Sequence, residues 1–297
     1  LGVIFFIFVV ALLVVYWFVP LGEVEFSIFK AENSNFTLGP SAQGMQFYEN
    51  LRYSEPSISY RIESCPVKKA DEMKNAFKTL EEVTDLSFYP VSTDEEILVT
   101  CESRTKFEGK FFVAGEGGPT SITQAGDFNV IQNGGILLLR DSQCEKPNIA
   151  IHELLHALGF DHSDNQENIM YEISRCGQEI GQDTINLVNE LYSIPSLPDL
   201  VFENASASMK GKYLNLEMVV RNNGLKNSEE SKILVYADDK LIKEFEIDSL
   251  LIGSGKFIKF ENIFVLQTSV NEIKILADYK FEELKKENNI VLLKIKS

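Results

Sequence analysis

Basic residues are in short supply in this chain. Its 297 residues hold 28 Lys and Arg against 44 Asp and Glu, a formal net charge of −16. The deficit belongs to the first part: residues 1–197 carry 13 basic and 28 acidic side chains, while residues 198–297 carry 15 and 16. Such a surface repels phosphate backbones and argues against nucleic acid as a partner. It attracts basic substrates or cations, and it also serves solubility alone. Structural calcium is compatible with that acidity, but no ligand loop for it stands in the sequence.

Cysteine is sparse. Cys65, Cys101, Cys144 and Cys176 form no C-x-x-C pair, which argues against a structural zinc site built on thiolates. An even count fits two disulfides in an oxidising space, with three pairings open, or four buried thiols. Histidine is scarcer still. There are three, and all lie within eleven positions: HELLHALGFDH, residues 152–162. The rest of the composition, 44% hydrophobic and 24% charged, fits a folded chain of one large domain or two ordinary ones.

Charge is absent altogether from Leu1 to Val19. A run of 19 apolar residues is close to the roughly 20 needed to span a bilayer. It ends in Tyr16, Trp17, Phe18, Val19 and Pro20, a poor signal-peptidase site, so an uncleaved transmembrane anchor over 1–19 is expected in preference to a removed signal. Residues 20–44 are polar, with Gly and Pro and no apolar period, and read as a stalk. Asn35-Phe36-Thr37 and Asn204-Ala205-Ser206 are N-glycosylation acceptor patterns, short enough to arise by chance.

Folded structure is expected from Met45. SISYRIES (57–64) alternates as a strand, and residues 71–86 place Met73, Phe77, Leu80 and Val83 on one helical face. Strands follow at 96–102 and 110–115. FNVIQNGGILLLR (128–140) holds Asn133-Gly134 between two apolar runs, a hairpin signal. Helices are expected at 148–158 and 183–192. The order implies a mixed sheet with a right-handed crossover. After IPSLPDL (194–200), a linker, seven short alternating runs fill about 100 residues, the pattern of an immunoglobulin-type β-sandwich.

The histidines carry the chemistry. His152 and His156, four apart on a helix, share one face and can hold one zinc ion. Gly159 can take the left-handed conformation that ends the helix, so that His162 returns to the same ion. Three neutral nitrogens leave a fourth position for water. Glu153, beside the first ligand, is the candidate general base.

H-E-x-x-H-x-x-G-x-x-H resembles the signature of metzincin zinc peptidases, matched here at each fixed position. The resemblance implies a methionine turn, and Asn168-Ile169-Met170-Tyr171 stands where it would lie. Ser163 after the third histidine, and Tyr171 directly after Met170, are similar to the matrixin subgroup. Where an astacin-like tyrosine ligand would stand there is Glu172. The resemblance covers roughly 45–195 and implies an α+β, zincin-like catalytic domain. Its edge strand above the cleft, within about 115–132, would pair with an extended peptide. Cys65 lacks the context of a cysteine switch. Cys65 and Cys101 close neighbouring parallel strands and are expected to pair, leaving Cys144 with Cys176 around the active-site helix.

VVRNNGLKNSEES (219–231), ILVYADDKLI (233–242) and FEELKKENNIVLL (281–293) resemble cell-adhesion-related, CARDB-like domains. The expectation is therefore a membrane anchor (1–19), a stalk (20–44), a matrixin-like peptidase domain (45–195) and an all-β Ig-like domain (199–297). The resemblance implies a zinc endopeptidase that uses one catalytic Zn2+ and acts on protein or peptide; the apolar run and the even cysteine count add the expectation that it is membrane-anchored and extracytoplasmic. Its partners would be the membrane, through the first helix, and a cell-surface ligand for the last domain. The alternative is a surface scaffold whose peptidase fold no longer cuts.

Overall fold

The computed structural model describes residues 2–18, 23–30, 44–104, 106–108, 111–267 and 269–296. The chain divides into two compact units, one of residues 36–196 and one of residues 1–35 together with 197–297.

The first segment corrects the expectation of an anchor. Helix α1 (Gly2–Phe18) has 17 residues, and no helix among the described residues is long and apolar enough to cross a membrane. At 1.5 Å per residue it spans about 25 Å, short of the ~30 Å hydrocarbon core.

The expected stalk needs correction too. Strand β1 (Glu23–Lys30) lies within it and belongs to the C-terminal all-β unit; residues 31–43, with Asn35, fall outside the described residues.

The unit of residues 36–196 is a sheet with helices. Its elements are β2 (Leu51–Tyr53), β3 (Ser57–Glu63), α2 (Val67–Val83), β4 (Ser87–Pro90), β5 (Ile97–Cys101), β6 (Lys106–Glu108), β7 (Phe111–Val113), β8 (Gly115–Ala125), β9 (Phe128–Leu138), α3 (Asn148–Ala157) and α4 (Gln182–Tyr192). The sheet runs β4-β3-β5-β9, parallel throughout; β2 also lies parallel to β9, and β8 lies antiparallel along it. Among the described residues β8 pairs with no other strand of that sheet, so it is an edge. β6 and β7 form a separate two-stranded ribbon.

Helix α2 buries Met73, Phe77 and Leu80 of the face expected, with Ala76 added, but Val83 is exposed, and the helix starts and stops a turn early. It ends at Thr84, whose backbone turns extended (φ −132°, ψ 171°) while its N–H (2.9 Å) and Oγ1 (2.7 Å) both donate to the Leu80 carbonyl. The extra first turn brings in Lys69, which is buried and donates to the carbonyls of Glu102, Leu138 and Leu139 at 2.8–3.1 Å.

The hairpin expected at Asn133-Gly134 is absent. β9 runs straight through both residues, and the turn lies at Ala125–Phe128, where Gly126 has φ +57°. Gly134 is glycine for packing: a Cβ there would collide with the Tyr53 hydroxyl and stand 3.3 Å from the Ala157 carbonyl of α3. The Asn-Gly pair thus serves close sheet–helix contact, which local turn statistics cannot distinguish from a turn.

Two disulfides, Cys65–Cys101 and Cys144–Cys176, complete this unit in the pairing that the strand order implied. Arg52, fully buried in β2, donates to the carbonyls of Leu191 and Ile194 (3.0 Å) and lies 4.4 Å over the Tyr192 ring, fastening the end of α4 to the sheet.

The other unit is all-β: β10 (Leu200–Lys210), β11 (Tyr213–Asn222), β12 (Ser231–Ala237), β13 (Lys240–Ile247), β14 (Gly255–Phe264), β15 (Glu272–Asp278) and β16 (Ile290–Ile295) form, with β1 inserted between β16 and β10, one eight-stranded sheet in the order β13-β12-β15-β16-β1-β10-β11-β14 around a single core. Strand alternation is regular: Leu214, Leu216, Met218 and Val220 of β11 point into the core. Asp238 and Asp239, with φ +43° and +63°, form the two-residue turn between β12 and β13. β1 pairs first with β10, from Glu23 to Phe26, and then with β16, from Phe26 to Lys30. Phe26 is the crossing point and inserts its buried ring into the core. An N-terminal strand thus joins the two halves of a domain that resumes about 170 residues later.

Candidate metal centre

The site grows out of helix α3. Its sequence NIAIHELLHA is a mixture of good helix formers and apolar residues, and all but Ile149 of its ten side chains are buried. His152 and His156 stand one turn apart. The helix ends at Ala157, and Gly159, at φ +97°, reverses the chain. A Cβ on Gly159 would come within 2.5 Å of the Leu51 side chain, so conformation and packing both require glycine there.

The reversal delivers His162. His156 Nε2 lies 3.0 Å from His152 Nε2 and 3.1 Å from His162 Nε2, and the three ligand atoms lie within 4.8 Å of one another. Two of the opposite ring nitrogens are committed elsewhere: His152 Nδ1 donates to the Ile169 carbonyl and His156 Nδ1 to the Phe160 carbonyl, each at 2.7 Å. A carbonyl only accepts, so both Nδ1 atoms carry the proton and both Nε2 atoms present lone pairs to the shared centre. Burial lowers the pKa of His152 to about 4, assisted by the neighbouring histidines against the Ile169 bond, and burial also lowers that of His156. Neutral, convergent, donor-free nitrogens are a cation site, and the donor set is the one zinc takes.

Glu153 is buried next to the first histidine. Burial, and secondarily Glu116, push its pKa up to about 8. Its carboxyl lies under the edge strand: a Cβ on Gly115 would stand 2.7 Å from Glu153 Oε1, and one on Gly117 would collide with the Glu153 carbonyl. The glycines of GEGG therefore let β8 lie directly on α3. A cleft of ≈1270 Å³ opens there, with the three histidines, Glu153 and residues 115–117 in its wall.

Met170 is buried in the core, with its N–H on Asn168 Oδ1 (2.8 Å) and its carbonyl accepting from Ser163 N (2.9 Å). Ile169, just before it, carries the carbonyl that orients His152. The turn thus supports both the first ligand and the residue after the third. Tyr171 closes the turn through its N–H on the Asn168 carbonyl, 3.0 Å, and is half-buried. The Cys144–Cys176 disulfide ties the approach to α3 to the loop beyond this turn, and both cysteines line the cleft.

Sequence reasoning missed two neighbours. Glu116, ion-paired with Lys106, faces the cleft; the run of glycines around it is the signal that could have found it. The Phe47 ring stacks on His156 with centroids 5.7 Å apart, and nothing in the sequence marks it.

Comparison with known proteins agrees with this geometry. Residues 52–193 match the matrixin family of peptidases and residues 197–292 match the CARDB family, so the chain carries a matrixin domain followed by a CARDB domain. The matrixin domain implies a zinc metallopeptidase and peptide substrates. Among solved structures, a CARDB domain from Pyrococcus furiosus in complex with di-metal ions is 22% identical, covering 33% of this chain and 88% of that one, with a TM-score of 0.28. Comparison with curated proteins finds no match.

Proposed function

We infer that the protein is a zinc-dependent endopeptidase that works in an oxidising, extracytoplasmic space. The observation that carries this reading is the convergence of three histidine Nε2 atoms, those of His152 and His156 unprotonated, beside a buried carboxyl in an open cleft. His152, His156 and His162 would hold one zinc ion. When bound, the ion supplies Lewis acidity, which acidifies water and polarises a carbonyl. Glu153 takes up a proton from the attacking water and returns it to the leaving amine. Its carboxyl, uncharged at neutral pH when only burial acts on it, is drawn back to the charged form by a cation beside it. The free edge of β8 offers backbone groups to an extended peptide, and its glycines let that strand lie close against Glu153. Met170 supports the site from below.

Two disulfides with no free cysteine support the extracytoplasmic setting. The CARDB domain serves to hold a protein partner. Digestion of a diverse peptide library by the protein and by Glu153→Ala tests the reading. Zinc-dependent cleavage by the parent alone is expected; absence of cleavage by a zinc-loaded, folded parent would sink it and favour a scaffold.

A further inference from the structure

The third ligand sits on a short loop outside the helix, and something must hold that loop against α3. Part of the support is internal: Phe160 N donates to the Leu155 carbonyl (3.0 Å) and Asp161 Oδ1 accepts from His162 N (2.7 Å). The rest comes from the first described residues of this unit. Asp161 N donates to the Met45 carbonyl, and Phe47 N donates to the Gly159 carbonyl, both at 3.0 Å. Gln46 and Phe160 form the antiparallel bridge between them. Residues 45–47 therefore lie as a miniature strand along residues 159–161.

That strand is itself fixed. The Gln46 side chain exchanges two hydrogen bonds with the Leu51 backbone, Nε2 to the carbonyl at 2.6 Å and Oε1 from the N–H at 3.2 Å. Leu51 begins β2 and packs against Gly159, so the same element grips both partners. Phe47 completes the arrangement. Its side chain is 39% exposed, so core burial does not account for its position, yet its ring lies nearly parallel to that of His156, at 20°. His156 is thereby held at Nδ1 by Phe160 and on one face by Phe47.

We propose that Met45, Gln46 and Phe47 form a positioning clasp for the metal centre, which sets zinc affinity through His156 and His162 without touching the ion. This rests on the zinc reading above. A cut in the chain before Met45 spares the clasp; a cut between Phe47 and Leu51 releases it. Groups that orient metal ligands typically change metal affinity 10- to 100-fold when removed.

The test measures zinc dissociation constants of the full chain by competition with a chromophoric chelator, and visible spectra of the cobalt-loaded protein. Phe47→Ala should bind zinc about 10-fold more weakly, with an altered cobalt spectrum. Phe47→Pro, which removes the donor to Gly159, should be weaker again. Phe47→Trp should restore affinity to within about threefold, a ring being what is needed. Tyr48→Ala, at the exposed neighbour, should bind as the parent does. Affinity within about twofold of the parent in Phe47→Ala, with an unchanged cobalt spectrum, overturns the clasp, and that variant decides if Phe47→Pro does not fold. Failure of the parent to bind zinc would overturn the zinc reading instead.

Discussion

Replacing Glu153 by glutamine should do more than stop hydrolysis; it should change how the metal-free protein responds to pH. The carboxyl is buried under β8 and its pKa is pushed up to about 8 from 4.5, chiefly by burial and then by Glu116. Below pH 4.5 the group is protonated in both folded and unfolded chains and the shift costs nothing. Between 4.5 and 8 the unfolded chain releases its proton and the folded one retains it, so stability falls as pH rises. Above pH 8 the penalty levels off. Raising the pKa from 4.5 to about 8 corresponds to roughly 4–5 kcal/mol, most of which accumulates between pH 5 and pH 9. Glutamine does not ionise, and the His152 and His156 contributions are common to both proteins. The unfolding free energy of Glu153→Gln minus that of the parent, measured by denaturant titration in chelator, should therefore grow by about 4 kcal/mol from pH 5 to pH 9. The pH dependence is the quantity to compare, because the buried amide adds an offset of its own. Adding zinc should shrink the effect, since a cation beside the carboxylate stabilises its charged form. A difference that does not change with pH in the metal-free protein would refute the reasoning.

Three further outcomes are expected. Gly117→Ala places a Cβ against the Glu153 backbone; it should separate β8 from α3, lower thermal stability and cut peptide hydrolysis by at least tenfold, seen in a melting curve and an initial-rate assay. Converting Cys144 and Cys176 together to serine, which opens a loop with a sequence separation of 32, should destabilise the peptidase unit by about 3–4 kcal/mol in denaturant titration while the CARDB unit is unaffected. Phe26→Ala should remove about 3–5 kcal/mol from the CARDB unit's transition in calorimetry and leave zinc affinity unchanged, because the ring is buried only in that core.

Much of the site was legible because its chemistry is local. His152, Glu153 and His156 occupy one helix, Gly159 and His162 follow within six residues, and spacing alone brings the histidines together once the helix forms. The regular alternation after Leu200 was likewise enough to indicate an all-β unit, since a period of two states which face of each strand is buried. Features that depend on distant partners were not legible. Asn133-Gly134 has the composition of a turn, yet its glycine answers to Tyr53 and Ala157, residues far away in sequence. The first segment is apolar enough for a membrane by residue count, but the helix has only 17 residues. Residues 23–30 stand far before the other strands of their sheet in the sequence, and only β10 and β16 on either side give them a place.

The sequence by itself thus determined which three histidines form the candidate metal centre and that a matrixin domain precedes a β-rich CARDB domain. The tertiary structure decided what holds those atoms still. It chose the Nε2 nitrogens by giving both helical Nδ1 atoms a carbonyl, raised the pKa of Glu153 by laying a glycine strand over it, and brought Met45–Phe47 alongside the third ligand. Apart from the bond of His156 to Phe160, four residues on, these act through contacts between residues remote in the chain, and a periodic pattern in one segment carries no information about which other segment will cover it.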